Sequence, residues 1–305
     1  MRALRRTPTE GRRRFYATVS EESGMRTLLK SVLLVLSLAM STAVAPSASA
    51  VEVRVTVENL APANSVALAP FRFGFGNGTF DSFDNNQPAF LLGNPSIAEA
   101  PIVTIAEGGS GSTWFPAFQA AEPNANLGSI LGPTIPPILP GQTSSAVFTI
   151  DPANRFFTFG TMVVPSNDHF LGNENPMAFE VFDTGGNLIL NGITEDASRI
   201  WDAGSETENP ANAAFLVDGV NDQRENENLP VMFNFADLSA FDGLTTAAGY
   251  TFDSSLLSAS TPVLRVSFAV VPEPTALALL ILGATGMATS RRRCALPAKF
   301  RERHV

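Results

Sequence analysis

Two short stretches place acidic side chains where they could do chemistry together: MVVPSNDHFLG, residues 162–172, and WDAGSE, residues 201–206. Each sets carboxylates just beyond an apolar run, so Asp168 in the first and Asp202 and Glu206 in the second stand where strands would end. Strands paired in one sandwich could carry all three to the same end of it, and Gly204 would let the chain curl so that Asp202 and Glu206 face one ion. A cage of carboxylates completed by backbone carbonyls and water suits calcium, which takes about six to eight hard oxygens in flexible geometry. The affinity expected of such an extracellular site is a Kd on the order of 10⁻⁴ to 10⁻³ M. The same residue types also form ordinary solvated turns, so a metal-free scaffold stays open as an alternative. A weaker loop, Asp218-Gly219-Val220-Asn221-Asp222, lacks the Asp-x-Asp-x-Asp-Gly pattern and the spaced glutamate of an EF-hand.

Catalysis has few tools in the central part of the chain. Residues 51–271 contain one histidine, His169, and neither cysteine nor lysine. His169 beside Asp168 would need a hydroxyl nucleophile, and GGSGSTW lacks the glycine placement of a Gly-x-Ser-x-Gly elbow. No P-loop and no dinucleotide Gly-x-Gly-x-x-Gly stands at a strand–helix junction. These absences point to a non-enzymatic chain. A carboxylate-pair glycoside hydrolase remains the alternative, because its two acids need no local motif.

The elements that must position these residues read as strands. Val51, Val53, Val55 and Val57 alternate with Glu52, Arg54, Thr56 and Glu58, the period-two pattern of a half-buried strand. Further strands are expected at residues 145–150, 156–164, 178–182, 188–190, 231–235 and 263–271, with a hairpin turn at Asp183-Thr184-Gly185-Gly186-Asn187. Pro133, Pro136, Pro137 and Pro140 cannot all serve a central ladder, so that stretch is expected on the surface. Short helical turns are expected within residues 97–107. Abundant Phe, 23 in the chain against two Tyr, fits a dry core between sheets, and Trp114 and Trp201 are expected in the core rather than on a sugar platform. The fold class expected is all-β, an antiparallel β-sandwich of one domain over residues 51–271.

Charge and cysteine usage narrow the function classes. The whole chain carries a formal charge of -9, but residues 51–271 hold twenty-four acidic residues and six arginines, near -18, so the basic residues gather in the tails. Such a surface repels phosphate backbones and excludes nucleic acid as a partner. Cys294 is the only cysteine, so disulfides and thiolate-bound metals are excluded from the central part.

Both ends read as targeting segments. Residues 25–50 combine Arg26 and Lys30, an apolar run and Ala48-Ser49-Ala50, the layout of a secretory signal peptide cut before Val51. Residues 1–24 form a basic extension, read either as an upstream start codon assigned in error or as an extended n-region. At the other end Pro272-Glu273-Pro274 leads into an apolar run of about fifteen residues and then Arg291-Arg292-Arg293. Arginines behind an apolar run hold a C-terminus in the cytoplasm, and the short run suits a transient anchor. This order resembles the PEP-CTERM sorting signal of Gram-negative bacteria, which implies recognition and cleavage by an exosortase-type membrane protease. Residues 294–305 continue beyond the arginines, where that family usually stops.

The two acidic segments carry a second resemblance. Pro165-Ser166-Asn167-Asp168-His169-Phe170-Leu171-Gly172, followed about thirty residues later by Asp202-Ala203-Gly204-Ser205-Glu206, resembles the spondin domain, as does the opening VRVTVENL. The resemblance implies a C2-like sandwich, here flanked by an N-terminal signal helix and a C-terminal apolar helix, with Ca2+ held by Asp168, Asp202 and Glu206. His169 stands where animal members carry tryptophan, which alters a surface contact, and Glu206 where they carry aspartate, which keeps a carboxylate. The function expected is thus an exported calcium-binding module sorted to the cell envelope or exopolysaccharide matrix, adhesive or structural, with matrix components as partners.

Overall fold

The computed structural model describes residues 50–89, 101–134, 136–219 and 224–272, all within one compact unit. Strand β1 (Val51–Asn59) shows how the pattern becomes structure. Val53, Val55 and Val57 are fully buried while Glu52, Arg54, Thr56 and Glu58 take the outer face. β1 pairs antiparallel with β5 (Thr143–Ile150) and β11 (Pro262–Val270), so that Val55 lies opposite both Ala146 and Phe268. A slip of one residue would turn every valine outward, which pins the register. β8 (Gly192–Asp196) completes a four-stranded sheet in the order β5-β1-β11-β8.

The second sheet has seven strands: β2 (Ala67–Leu68), β3 (Phe71–Gly76), β4 (Asn126–Ile130), β6 (Phe156–Val164), β7 (His169–Gly172), β9 (Trp201–Asp202) and β10 (Met232–Phe233). Their order is β10-β9-β7-β6-β3-β4, with β2 also on β6, and every pairing is antiparallel. The two sheets pack face to face through phenylalanine. Phe73 meets Phe148 at 4.9 Å edge-on, and Phe157 meets Phe268 at 4.8 Å, each pair joining one sheet to the other. Edge-to-face rings of this kind add about 0.5–1.5 kcal/mol beyond their burial.

The outer face of the large sheet is covered by two helices, α1 (Pro101–Gly108) and α2 (Trp114–Ala121). Small residues make that approach possible: a Cβ on Gly74 would lie 2.6 Å from Phe118, and one on Gly160 would lie 2.9 Å from Ile105. Beneath α1, Ile102, Val103, Phe83, Phe170, Trp201 and Val231 form a second apolar cluster, which seats β7 and β9. Trp114 and Trp201 are both buried, Trp201 stacked on Phe233 at 3.6 Å, so neither offers a surface platform.

Residues 178–182 and 188–190, expected as strands, form isolated bridges instead, Phe156 to Glu180 and Phe182 to Leu188. The turn between them forms, with Asp183 N–H donating to Asn187 O at 3.0 Å and Gly186 at φ +79°. The proline-rich stretch runs along the surface but plants Ile138 in the core, where its backbone exchanges hydrogen bonds with Leu68. Among the described residues no helix is long and apolar enough to cross a membrane. The expected signal helix, the C-terminal apolar helix and the arginine stop lie outside the described residues, as do Glu273 and Pro274.

Candidate metal centre

β6 ends at Val164, and the chain turns through Pro165, Ser166 and Asn167 before returning as β7. Ser166 shapes that turn, its hydroxyl donating to Val163 O at 2.5 Å and accepting the His169 N–H at 3.2 Å. The turn delivers Asp168 and His169 to the end of the sheet. β9 pairs with β7 so that Asp202 lies opposite His169 and Trp201 opposite Phe170. Phe170 and Trp201 belong to the apolar cluster beneath α1, and that burial fixes where the polar residues of the two strands must stand.

Beyond β9 the chain hooks. Gly204 has φ +60°, and a Cβ there would lie 2.5 Å from Leu229 O, so only glycine fits. The hook brings the N–H groups of Ser205 and Glu206 to Oδ2 of Asp168 at 2.8 and 3.0 Å, and the Ser205 hydroxyl lies 3.1 Å away, its single proton shared between Asp168 and Glu107. Ser205 is braced in turn by Glu107 of α1, 2.9 Å from its hydroxyl, and Arg224 bonds both Glu107 and the Ser205 carbonyl. One oxygen of Asp168 is thereby saturated. The other, Oδ1, is buried with no hydrogen-bond donor.

Around Oδ1 stand further acidic groups and one ring. His169 Nδ1 is 4.0 Å from Asp168 Oδ1 and 3.1 Å from Glu208 Oε1, the latter an ion-pair distance off the axis of a hydrogen bond. His169 Nε2 lies 2.7 Å from Asn234 O, and since a carbonyl only accepts, Nε2 carries the proton. Asp202 Oδ1 accepts the Gly204 N–H at 2.7 Å, and its Oδ2 accepts from Asn234 Nδ2 at 3.2 Å. Burial, reinforced by neighbouring Asp202 and Glu208, pushes the Asp168 carboxyl up to about 7. Burial works against a charged His169 ring, yet Glu208, Asp168 and Asp202 outweigh it and hold the ring at about 9.

The three carboxylates expected to form one cage divide. Asp168 and Asp202 come to neighbouring strands at the same sheet end. Glu206 reaches Asp168 through its backbone N–H, while its carboxylate accepts from the side-chain amides of Asn167, at 2.8 Å, and Asn212. Both amides meet one oxygen, Oε1, so the Glu206 side chain is turned toward Asn167 and Asn212. Glu208, two residues on, takes the place at Asp168 and His169. Asp218 and Gly219 belong to no cluster of three metal-ligating side chains among the described residues, and the remainder of that loop lies outside them. No protein-family model matches the chain, and no curated protein matches it.

Proposed function

We propose that this chain is an exported, non-enzymatic β-sandwich module that takes a divalent cation at the end of the seven-stranded sheet. One observation carries the reading: Asp168 Oδ1 is buried without a donor, in a site shared with Asp202 and Glu208. Unpaired carboxylates in a dry site are costly, and a cation offsets the repulsion that burial enforces. The secretory layout of residues 25–50 and the sorting layout of residues 272–293 support export, handling by an exosortase-type protease, and a place in the cell envelope or its polysaccharide matrix. The C2-like arrangement of the spondin type draws support from the two resembling segments, which form β7 and β9 and lie side by side.

The non-enzymatic reading is supported by the surroundings of His169. Among the described residues no hydroxyl lies within hydrogen-bond distance of its ring, which meets Asn234 O and Glu208 instead. A cleft of about 450 Å³ beside the site is lined by Asp202, Glu208, Glu227 and Asp237, the acids a glycoside hydrolase would need, but no aromatic ring lines it for sugar stacking. Thermal unfolding of the purified protein with divalent cation and with chelator tests the reading. A rise in Tm on adding cation that is lost in Asp168→Asn is the expected result, and identical curves would overturn it.

A further inference from the structure

The four buried side-chain nitrogen and oxygen atoms without a hydrogen-bond partner among the described residues are not scattered. Three of them, Asp168 Oδ1, His169 Nδ1 and Glu208 Oε2, belong to one triplet whose ligand atoms lie within 4.8 Å of one another. Buried polar atoms are nearly always satisfied, so three orphans in one spot mark a missing partner. We infer that this triplet binds one nitrogen-accepting transition-series cation of the zinc class, through His169 Nδ1 and one oxygen each from Asp168 and Glu208. This rests on the proposal that a divalent cation binds at this sheet end, and it names the ion and the ligands.

The donor set decides the class of ion. Calcium selects oxygen, whereas imidazole suits zinc and its neighbours, and mixed nitrogen and oxygen donors without thiolate favour zinc over manganese or iron on intrinsic affinity. Adjacent ligands on a tetrahedral zinc lie about 3.3 Å apart at bond lengths of roughly 2.0–2.1 Å. The separations of 3.1 Å from His169 Nδ1 to Glu208 Oε1 and 4.0 Å to Asp168 Oδ1 bracket that value, and all three ligand atoms lie within 4.8 Å of one another.

The supporting groups are those a histidine–carboxylate site requires. Nε2–H donating to Asn234 O fixes the ring orientation and leaves Nδ1 to point at the ion. The N–H groups of Ser205 and Glu206 on Asp168 Oδ2 hold that carboxylate with Oδ1 free. Asp168 and His169 are fully buried, while the Glu208 side chain keeps 19% of its surface exposed on the wall of the cleft. The ion therefore has a route in, and its fourth position is left to water or to an oxygen of a partner in the cleft.

Equilibrium dialysis of the purified full-length protein against Zn2+ and, separately, Ca2+ tests the inference, with His169→Gln and Glu208→Gln as variants. Glutamine places its amide nitrogen near Nε2, so His169→Gln can keep the bond to Asn234 O while removing Nδ1. Circular dichroism verifies that each variant is folded, and the partly exposed Glu208 supplies a second test if the buried ring is needed for folding. The expected result is one Zn2+ per chain, lost by roughly tenfold or more in affinity in either variant, with weak Ca2+ binding unchanged. Retention of Ca2+ in place of Zn2+, or Zn2+ uptake indifferent to both variants, overturns the inference and leaves the divalent-cation proposal standing. Retention of neither ion overturns both.

Discussion

The space between the sheets and the end of the large sheet are equally dry, yet they are filled by opposite means. Between the sheets, Phe73, Phe75 and Phe157 are fully buried, share one apolar cluster and pack on one another. At the sheet end, Asp168 and His169 are also fully buried, with two atoms that make no hydrogen bond among the described residues. The first region is complete as folded; the second is complete only with a proton or a cation. Burial alone therefore does not separate a stabilising core from a binding site, whereas the hydrogen bonds left unmade do.

The contrast can be broken first in the core. Phe157→Ala should cost about 3–5 kcal/mol, the ordinary loss for a large buried ring, read as a fall in the denaturant midpoint at unchanged slope. A loss below about 1 kcal/mol would mean that the rings are not the principal contact between the sheets. The next effect is at the site. Zn2+ at a hundredfold excess over its Kd should stabilise by about 2.7 kcal/mol, or roughly 5–10 °C in Tm for a domain of this size, and the gain should vanish in His169→Gln. Smaller and opposite in sign to the core mutant is Asp168→Asn in chelator at pH 8. Its amide can turn its oxygen to the Ser205 and Glu206 donors and its N–H to Glu208, so stability should hold or rise by on the order of 1 kcal/mol. A clear loss there would show that the charge is already compensated.

The smallest effect is the pH dependence. In the metal-free protein Asp168 titrates near 7, above its unfolded value, so the stability carried by its bound proton is lost as pH rises to 7. His169 at about 9 is also raised, and the stability it contributes below about 6.5 fades as pH climbs through 9. The metal-free protein therefore weakens from about pH 4 to 7 through Asp168 and from about 6.5 to 9 through His169. A cation competes with those same protons, so the Tm difference between Zn2+ and chelator should widen over that range. A difference that narrows would place the cation elsewhere.

Much of the sandwich was legible because long strands carry their own pattern. β1, β5, β6 and β11 are eight or nine residues each and lie within a residue or two of where alternation or an apolar run put them. β3 was not, although Phe71, Phe73 and Phe75 alternate. Gly74 and Gly76 look like strand breakers in isolation, and only the helix packed over them shows why they are small. β7 and β9, at four and two residues, are too short to signal themselves and exist through their neighbours. At the site, Asp168 and Asp202 were legible as acids at strand ends. The grouping of Glu208 with Asp168 and His169 was not, nor the turn of the Glu206 side chain toward the amides of Asn167 and Asn212, which no spacing rule foretells. His169 was weighed as a catalytic or partner-contacting ring; its fully buried position follows from the pairing of β7 with β9.

Gly204 has a consequence for how far this end of the molecule tolerates drift in sequence. It carries no functional group, yet any side chain there would strike the Leu229 carbonyl and lift the hooked segment away from Asn228 and Leu229, whose N–H groups bond the Gly204 carbonyl. Asp168 would then lose the N–H groups that hold one of its oxygens, and the freed carboxylate would swing, with every acidic residue still in place. The position most intolerant of replacement near the centre is thus one that contributes only the absence of an atom.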